Sequence, residues 1–148
     1  MGEGNQNQAA SRILALDLGK KRIGLAISDP LGVTAQGLDT LERANIRADV
    51  AELAGLISER GVSLILMGKP LHMSGQEGRQ AAWARDFAER LNRATGVQVE
   101  FRDERLTTVQ AERVLREGGV RLREDRARSV DRLSAVLLLQ DYLDSLHI

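Results

Sequence analysis

The 148-residue chain has no cysteine, which excludes disulfides and thiolate metal sites and suits a reducing compartment. Its histidines are His72 and His147, which without thiolates make no zinc ligand set. Charge of one sign is also lacking. Lysine plus arginine and aspartate plus glutamate each total 21, so bulk charge gives no sign of a polyanionic partner. Lysine itself is scarce, confined to Lys20, Lys21 and Lys69. A GC-rich genome and a need for phosphate-gripping forks would each produce that arginine bias. No apolar run approaches the length of a membrane span. Met1 to Ala10 is polar and reads as a loose tail rather than a signal peptide. What is present is 43% hydrophobic residues, enough for the core of one domain over residues 11–148. A soluble cytoplasmic protein with no membrane contact is expected.

The stretch Ile13 to Asp29 organises the rest. It reads as two short apolar strands joined by a basic, glycine-flanked turn, with Asp17 near the end of the first strand. A third strand is expected over Thr34–Leu41, after the breakers Asp29-Pro30-Leu31-Gly32. Ala44–Arg60 then switches to a helical period, with Gly61 as its stop. Val62–Met67 is a continuous apolar run, as in a strand buried on both faces, and Gly68 to Gly75 is its exit loop. Ser74, with Glu77 three residues on, predicts the cap of a helix reaching Thr95 through the row Trp83, Phe87 and Leu91. Val97, Val99 and Phe101 alternate as a fifth strand ending at Asp103-Glu104. A short helix is expected from Thr107 or Thr108 to Leu115, then an irregular charged segment over Val120–Arg128. The last helix, Val130–Leu143, is apolar almost all round. This order predicts an α/β fold with a five-stranded mixed sheet and helices on its faces.

Ligands gather at the carboxyl ends of parallel strands, which draws attention to three acids. Asp17 ends the first strand, Glu104 ends the fifth, and Asp131 is expected to open the last helix. Together they would suit hard cations such as Mg²⁺ or Mn²⁺, and two ions about 4 Å apart would clamp a phosphodiester. Each acid also has a plainer explanation. Asp17 can pair with Lys21 or Arg22, Glu104 with Arg102 or Arg105, and Asp131 can answer the helix dipole. Lys69 and His72 in the exit loop are candidates to touch phosphate. Arg121, Arg123, Arg126 and Arg128 are diluted by Glu124 and Asp125 and read as a solvated loop.

Four segments together carry a family resemblance. They are Asp17-Leu-Gly-Lys-Lys-Arg-Ile-Gly-Leu-Ala-Ile-Ser-Asp29, Gly68-Lys-Pro-Leu-His-Met-Ser-Gly75, Asp103-Glu-Arg-Leu-Thr-Thr108 and Ser129-Val-Asp-Arg-Leu-Ser-Ala135. In this order the chain resembles the YqgF/RuvX family over nearly everything after the tail. The resemblance implies an RNase H-like fold related to the RuvC resolvases, and a metal-dependent nuclease using one or two Mg²⁺ or Mn²⁺ ions. Family members are associated with maturing the 5′ end of pre-16S rRNA, and others are described as Holliday junction resolvases. By position, Asp17, Glu104 and Asp131 would be the catalytic metal ligands. Lys21 and Arg105 would be their basic neighbours. Apart from the resemblance, Arg22 in the first turn and Lys69 and His72 in the exit loop are candidate substrate contacts on their charge and chemistry. Lys69 and His72 replace the usual leucine and asparagine of the exit loop, and Arg132 stands where serine is common.

Structured precursor rRNA is the first expected partner and branched DNA the second. A junction resolvase would need two active sites, hence a homodimer. The competing classes are a non-catalytic nucleic-acid-binding module and an ATPase of the actin and sugar-kinase type. The first would carry an idle, self-repelling acid cluster. The second needs two such domains around a cleft, more than 148 residues supply.

Overall fold

Strict alternation in the first two strands decides which side of the sheet each residue serves. In a computed structural model of the chain, which describes residues 11–69, 78–103 and 123–146, β1 spans Arg12–Leu18 and β2 spans Arg22–Ser28. They pair antiparallel, with Leu16 opposite Leu25 and Asp17 opposite Gly24. Next come β3 (Ala35–Glu42), α1 (Ile46–Arg60), β4 (Val62–Lys69), α2 (Arg79–Thr95), β5 (Gln98–Asp103) and α3 (Arg123–Leu146). The sheet order is β3-β2-β1-β4-β5. β3 is antiparallel to β2, whereas β4 runs parallel to both β1 and β5. The expected five-stranded mixed sheet is thus what forms.

One face carries the large side chains. Leu14, Leu16, Ile23, Leu25, Ile27, Ile65 and Met67 pack there with Val50, Leu53 and Ile57 of α1 and with Phe87 and Leu91 of α2. The other face is lined by smaller residues: Ala15 and Ala26, with Leu66, meet Ala135, Leu138, Leu139 and Leu143 of α3. Among the described residues α1 and α2 therefore cover one face and α3 covers the other, so helices lie on both faces, as expected.

The helix ends follow local chemistry, with two corrections. Asn45 caps α1, its Oδ1 accepting from the Ala48 N–H at 2.9 Å, while buried Asp49 reaches back to the Ala44 N–H at 3.1 Å. Gly61 ends α1 at φ 66°, a conformation that favours glycine. At α2 the N-cap is Gly78, without a side-chain cap, rather than Ser74. Ser74 and Glu77 lie outside the described residues, as do the short helix expected over 107–115 and Arg121.

The last helix begins at Arg123 rather than Val130, so the segment expected to be irregular is partly helical and Asp131 lies more than two turns inside. Its first residues, Arg-Glu-Asp-Arg-Ala-Arg, lack an apolar stripe, which hid them from a periodicity argument. They also contain no proline or glycine, and most are good helix formers. The helix dipole consequently does not explain Asp131.

Candidate active site

Asp17 sits on β1 facing the α3 side, in line with Ala15 two residues earlier, and is only 8% exposed. Its ladder partner is Gly24, and that glycine decides what lies above it. A Cβ added to Gly24 would stand 1.9 Å from the carbonyl oxygen of Asp131 and 2.4 Å from its carbonyl carbon. The backbone of α3 thus rests directly on the bare β2 backbone beside Asp17. The same approach brings the Asp131 carboxylate over the turn after β1: a Cβ on Gly19 would lie 3.4 and 3.5 Å from its two oxygens.

Electrostatics register this convergence. Burial pushes the Asp131 carboxyl up to about 7, and the neighbouring negative charge of Asp17 pushes it the same way. The positive charge of Arg22 opposes both and is the smallest of the three influences. Arg22 is itself engaged, its Nε donating to Glu42 Oε1 at 3.2 Å. One turn beyond Asp131, Ser134 is buried and its Oγ has no hydrogen-bond partner among the described residues.

Of the residues singled out by sequence, Asp17, Arg22 and Asp131 come together here. Lys21, with Lys20, is exposed on the turn between β1 and β2. Lys69 closes β4, its backbone in register with Asp103. His72, Glu104 and Arg105 lie outside the described residues, and among those described no cluster of three or more acids or histidines forms. Arg132, one of the departures from the family pattern, ties α3 to β3. Its Nε donates to the Leu38 carbonyl at 3.0 Å and its terminal nitrogen to Asp39 at 2.9 Å.

Sequence reasoning missed Gly24, although a lone glycine inside a strand is a recognised sign of close backbone approach. It also missed Arg43, which no local pattern marks. The Arg43 guanidinium donates to the carbonyls of Gly19 at 2.6 Å and Lys20 at 3.1 Å, and lies 4.0 Å from the centre of the Trp83 ring.

Residues 11–145 match the model of the RuvX family, described as a Holliday junction resolvase. The chain belongs to the RuvX family. A relative from Koribacter versatilis (strain Ellin345) is 50% identical over 133 residues, covering 90% of this chain and 86% of its own. One from Moorella thermoacetica is 48% identical over 135 residues, covering 91% and 96%. Both are provisionally named pre-16S rRNA nuclease. Among solved structures, Thermus thermophilus RuvC bound to a Holliday junction substrate aligns with a TM-score of 0.57 at 12% identity, covering 93% of this chain and 96% of that one. Fowlpox virus resolvase bound to Holliday junction DNA aligns with a TM-score of 0.52 at 13% identity, covering 91% and 98%. At such identities the likeness concerns the fold alone, and it is the RNase H-like fold of RuvC.

Proposed function

We propose that the chain is a nuclease hydrolysing phosphodiester bonds in nucleic acid, acting at the 5′ end of pre-16S rRNA. In this reading Asp17, Glu104 and Asp131 hold one or two Mg²⁺ or Mn²⁺ ions. The observation that carries it is the meeting of Asp17 and Asp131, 114 positions apart in sequence, across the bare backbone of Gly24. The donors suit a hard cation: two carboxylates close enough for the charge of one to act on the other in a partly buried corner, with the Ser134 hydroxyl, unpartnered among the described residues, one turn away. The provisional names of relatives near 50% identity support precursor rRNA as the substrate.

When bound, such ions polarise a phosphate oxygen and lower the pKa of an attacking water. The protein's own residues prepare for this. Asp131 must give up the proton it retains below about pH 7, and Arg22 favours the ionised form. Lys20 and Lys21 stand exposed on the turn beside the acids, where they meet substrate phosphates. Lys69, His72 and Arg105 are assigned to the same polyanion, and Glu104 follows directly on β5. Local cations of this kind let a charge-neutral chain hold nucleic acid.

A second reading, cleavage of a branched DNA junction, is favoured by the description of the matched family. It requires a twofold pair of sites. The deciding experiment offers purified protein a labelled pre-16S leader and a four-way junction, with Mg²⁺, Mn²⁺ or EDTA. Metal-dependent cutting of the leader, lost in Asp17→Asn, Glu104→Gln and Asp131→Asn, is the expected result. Preferential cutting of the junction selects the second reading. Equal binding without cutting by all four proteins makes the chain a binding module instead.

A further inference from the structure

The turn that carries the site is held from both sides of the sheet. On the α3 side the Asp131 carboxylate lies against Gly19. On the opposite side Arg43, just beyond β3, fixes the same peptide. Its backbone N–H donates to the Lys21 carbonyl at 2.9 Å, and its side chain donates to the carbonyls of Gly19 and Lys20. The guanidinium is in turn seated on Trp83, whose ring centre lies 5.2 Å from that of Phe87, a fully buried core residue. A continuous line of contact therefore runs from the core through Phe87, Trp83 and Arg43 to the turn between β1 and β2.

We propose that Arg43, braced by Trp83, is a positioning residue of the active site. It sets the Gly19–Arg22 turn so that Asp17, Asp131 and the exposed Lys20 and Lys21 keep one geometry. This rests on the nuclease reading for its functional consequence but not for its structural one. The physical reason is that neighbouring backbone carbonyls at a tight turn repel one another, and a planar cation with several fixed donors can bridge two of them. A lysine in the same place offers a single point charge. Stacking on the indole removes much of the freedom the arginine stem would otherwise have. Around a metal, groups that orient the ligands from one shell further out matter about as much as 10- to 100-fold in affinity or activity.

The test uses the full chain with Arg43→Met, Arg43→Lys and Trp83→Leu. Methionine keeps an apolar contact with Trp83 but has no donor, and Trp83→Leu keeps the donor but removes its seat. Three readouts are taken: amide hydrogen exchange in metal-free protein, Mg²⁺ affinity by calorimetry, and cleavage kinetics on the pre-16S leader. In Arg43→Met, exchange at Gly19 is expected to quicken by about tenfold, the loss of roughly one hydrogen bond's stabilisation, while the central strands keep their protection. Mg²⁺ affinity and kcat are expected to fall by about tenfold or more with KM little changed, and Arg43→Lys to recover part of both. Trp83→Leu should shift the same readouts in the same direction, and it stands in if Arg43→Met does not fold.

Unchanged exchange at Gly19 overturns the proposal. So does a rise in KM with kcat intact, which would make Arg43 a substrate contact. If the unaltered protein neither binds Mg²⁺ nor cuts, the nuclease reading falls by itself, and the exchange comparison still decides whether Arg43 holds the turn.

Discussion

At Asp131 the role proposed for the side chain opposes the stability of the fold. Its carboxyl is raised from the usual 3.8 to about 7, first by burial and then by the charge of Asp17. Between those two values the folded protein keeps a proton that the unfolded chain has released, so stability falls as pH rises through that window and levels off above it. The metal-free protein should therefore melt at a higher temperature at pH 5 than at pH 8, and calorimetry at the two values checks this. Asp29 contributes in the other sense, since backbone N–H donors from Thr34 and Val33 lower its pKa. Its effect is confined to pH values below its ordinary 3.8 and leaves the comparison clear. Asp131→Asn should remove the pH 5 to pH 8 difference and abolish cleavage, leaving a more stable and inactive protein at pH 8. Adding Mg²⁺ at pH 8 should raise the melting temperature of the unaltered protein, because binding to the folded state stabilises it by mass action, and should leave Asp131→Asn nearly unmoved.

At the scale of elements, the site depends on how closely α3 lies on the sheet. Alanines on its face of β1 and β2 and the bare backbone of Gly24 allow that approach. Gly37 of β3 allows it again, since a Cβ there would come 3.0 Å from the Arg132 side chain. Farther along, Gln140 clamps β3, accepting from the Ala35 N–H at 3.0 Å and donating to the Val33 carbonyl at 3.1 Å. Gly24→Ala should thus destabilise by about 2–3 kcal/mol or more, since backbone rather than a flexible side chain must move, and should weaken Mg²⁺ binding as well. Gly55→Ala, on an exposed position of α1 with nothing within 4 Å of the new Cβ, should instead stabilise by about 0.5–1 kcal/mol. Urea denaturation of the two variants separates these opposite signs. Glycine has two meanings in one chain, and only the neighbours tell them apart.

For the whole molecule, the two faces of the sheet divide the labour. Large aliphatic residues beneath α1 and α2 supply most of the core, and Phe87→Ala there should cost about 3–5 kcal/mol in denaturant unfolding. The opposite face gives up side-chain volume to bring α3 down beside Asp17. The junction-cutting alternative makes a prediction at this scale: two sites must act on one substrate, so sedimentation with a four-way junction should show two copies per junction. A single copy on a pre-16S leader is the outcome expected of the rRNA reading.

By itself the sequence determined much of the scaffold. Alternation in Ile13–Ser28, the apolar run at β4 and the helical rows of α1 and α2 each encode a local period, and local periods survive in one dimension. The order of four motifs identified the family and pointed to Asp17 and Asp131. The turns opening α3 were not legible, because a helix without an apolar stripe carries no periodic signal even when its residues favour helix. Tertiary structure alone decided that Asp131 reaches Asp17 from within α3, and that Gly24 is what lets it do so. It alone put Arg43 under the turn on Trp83, 40 positions away in sequence. These are contacts between elements, set by how closely two backbones can approach, and no pattern along a single strand or helix records that distance.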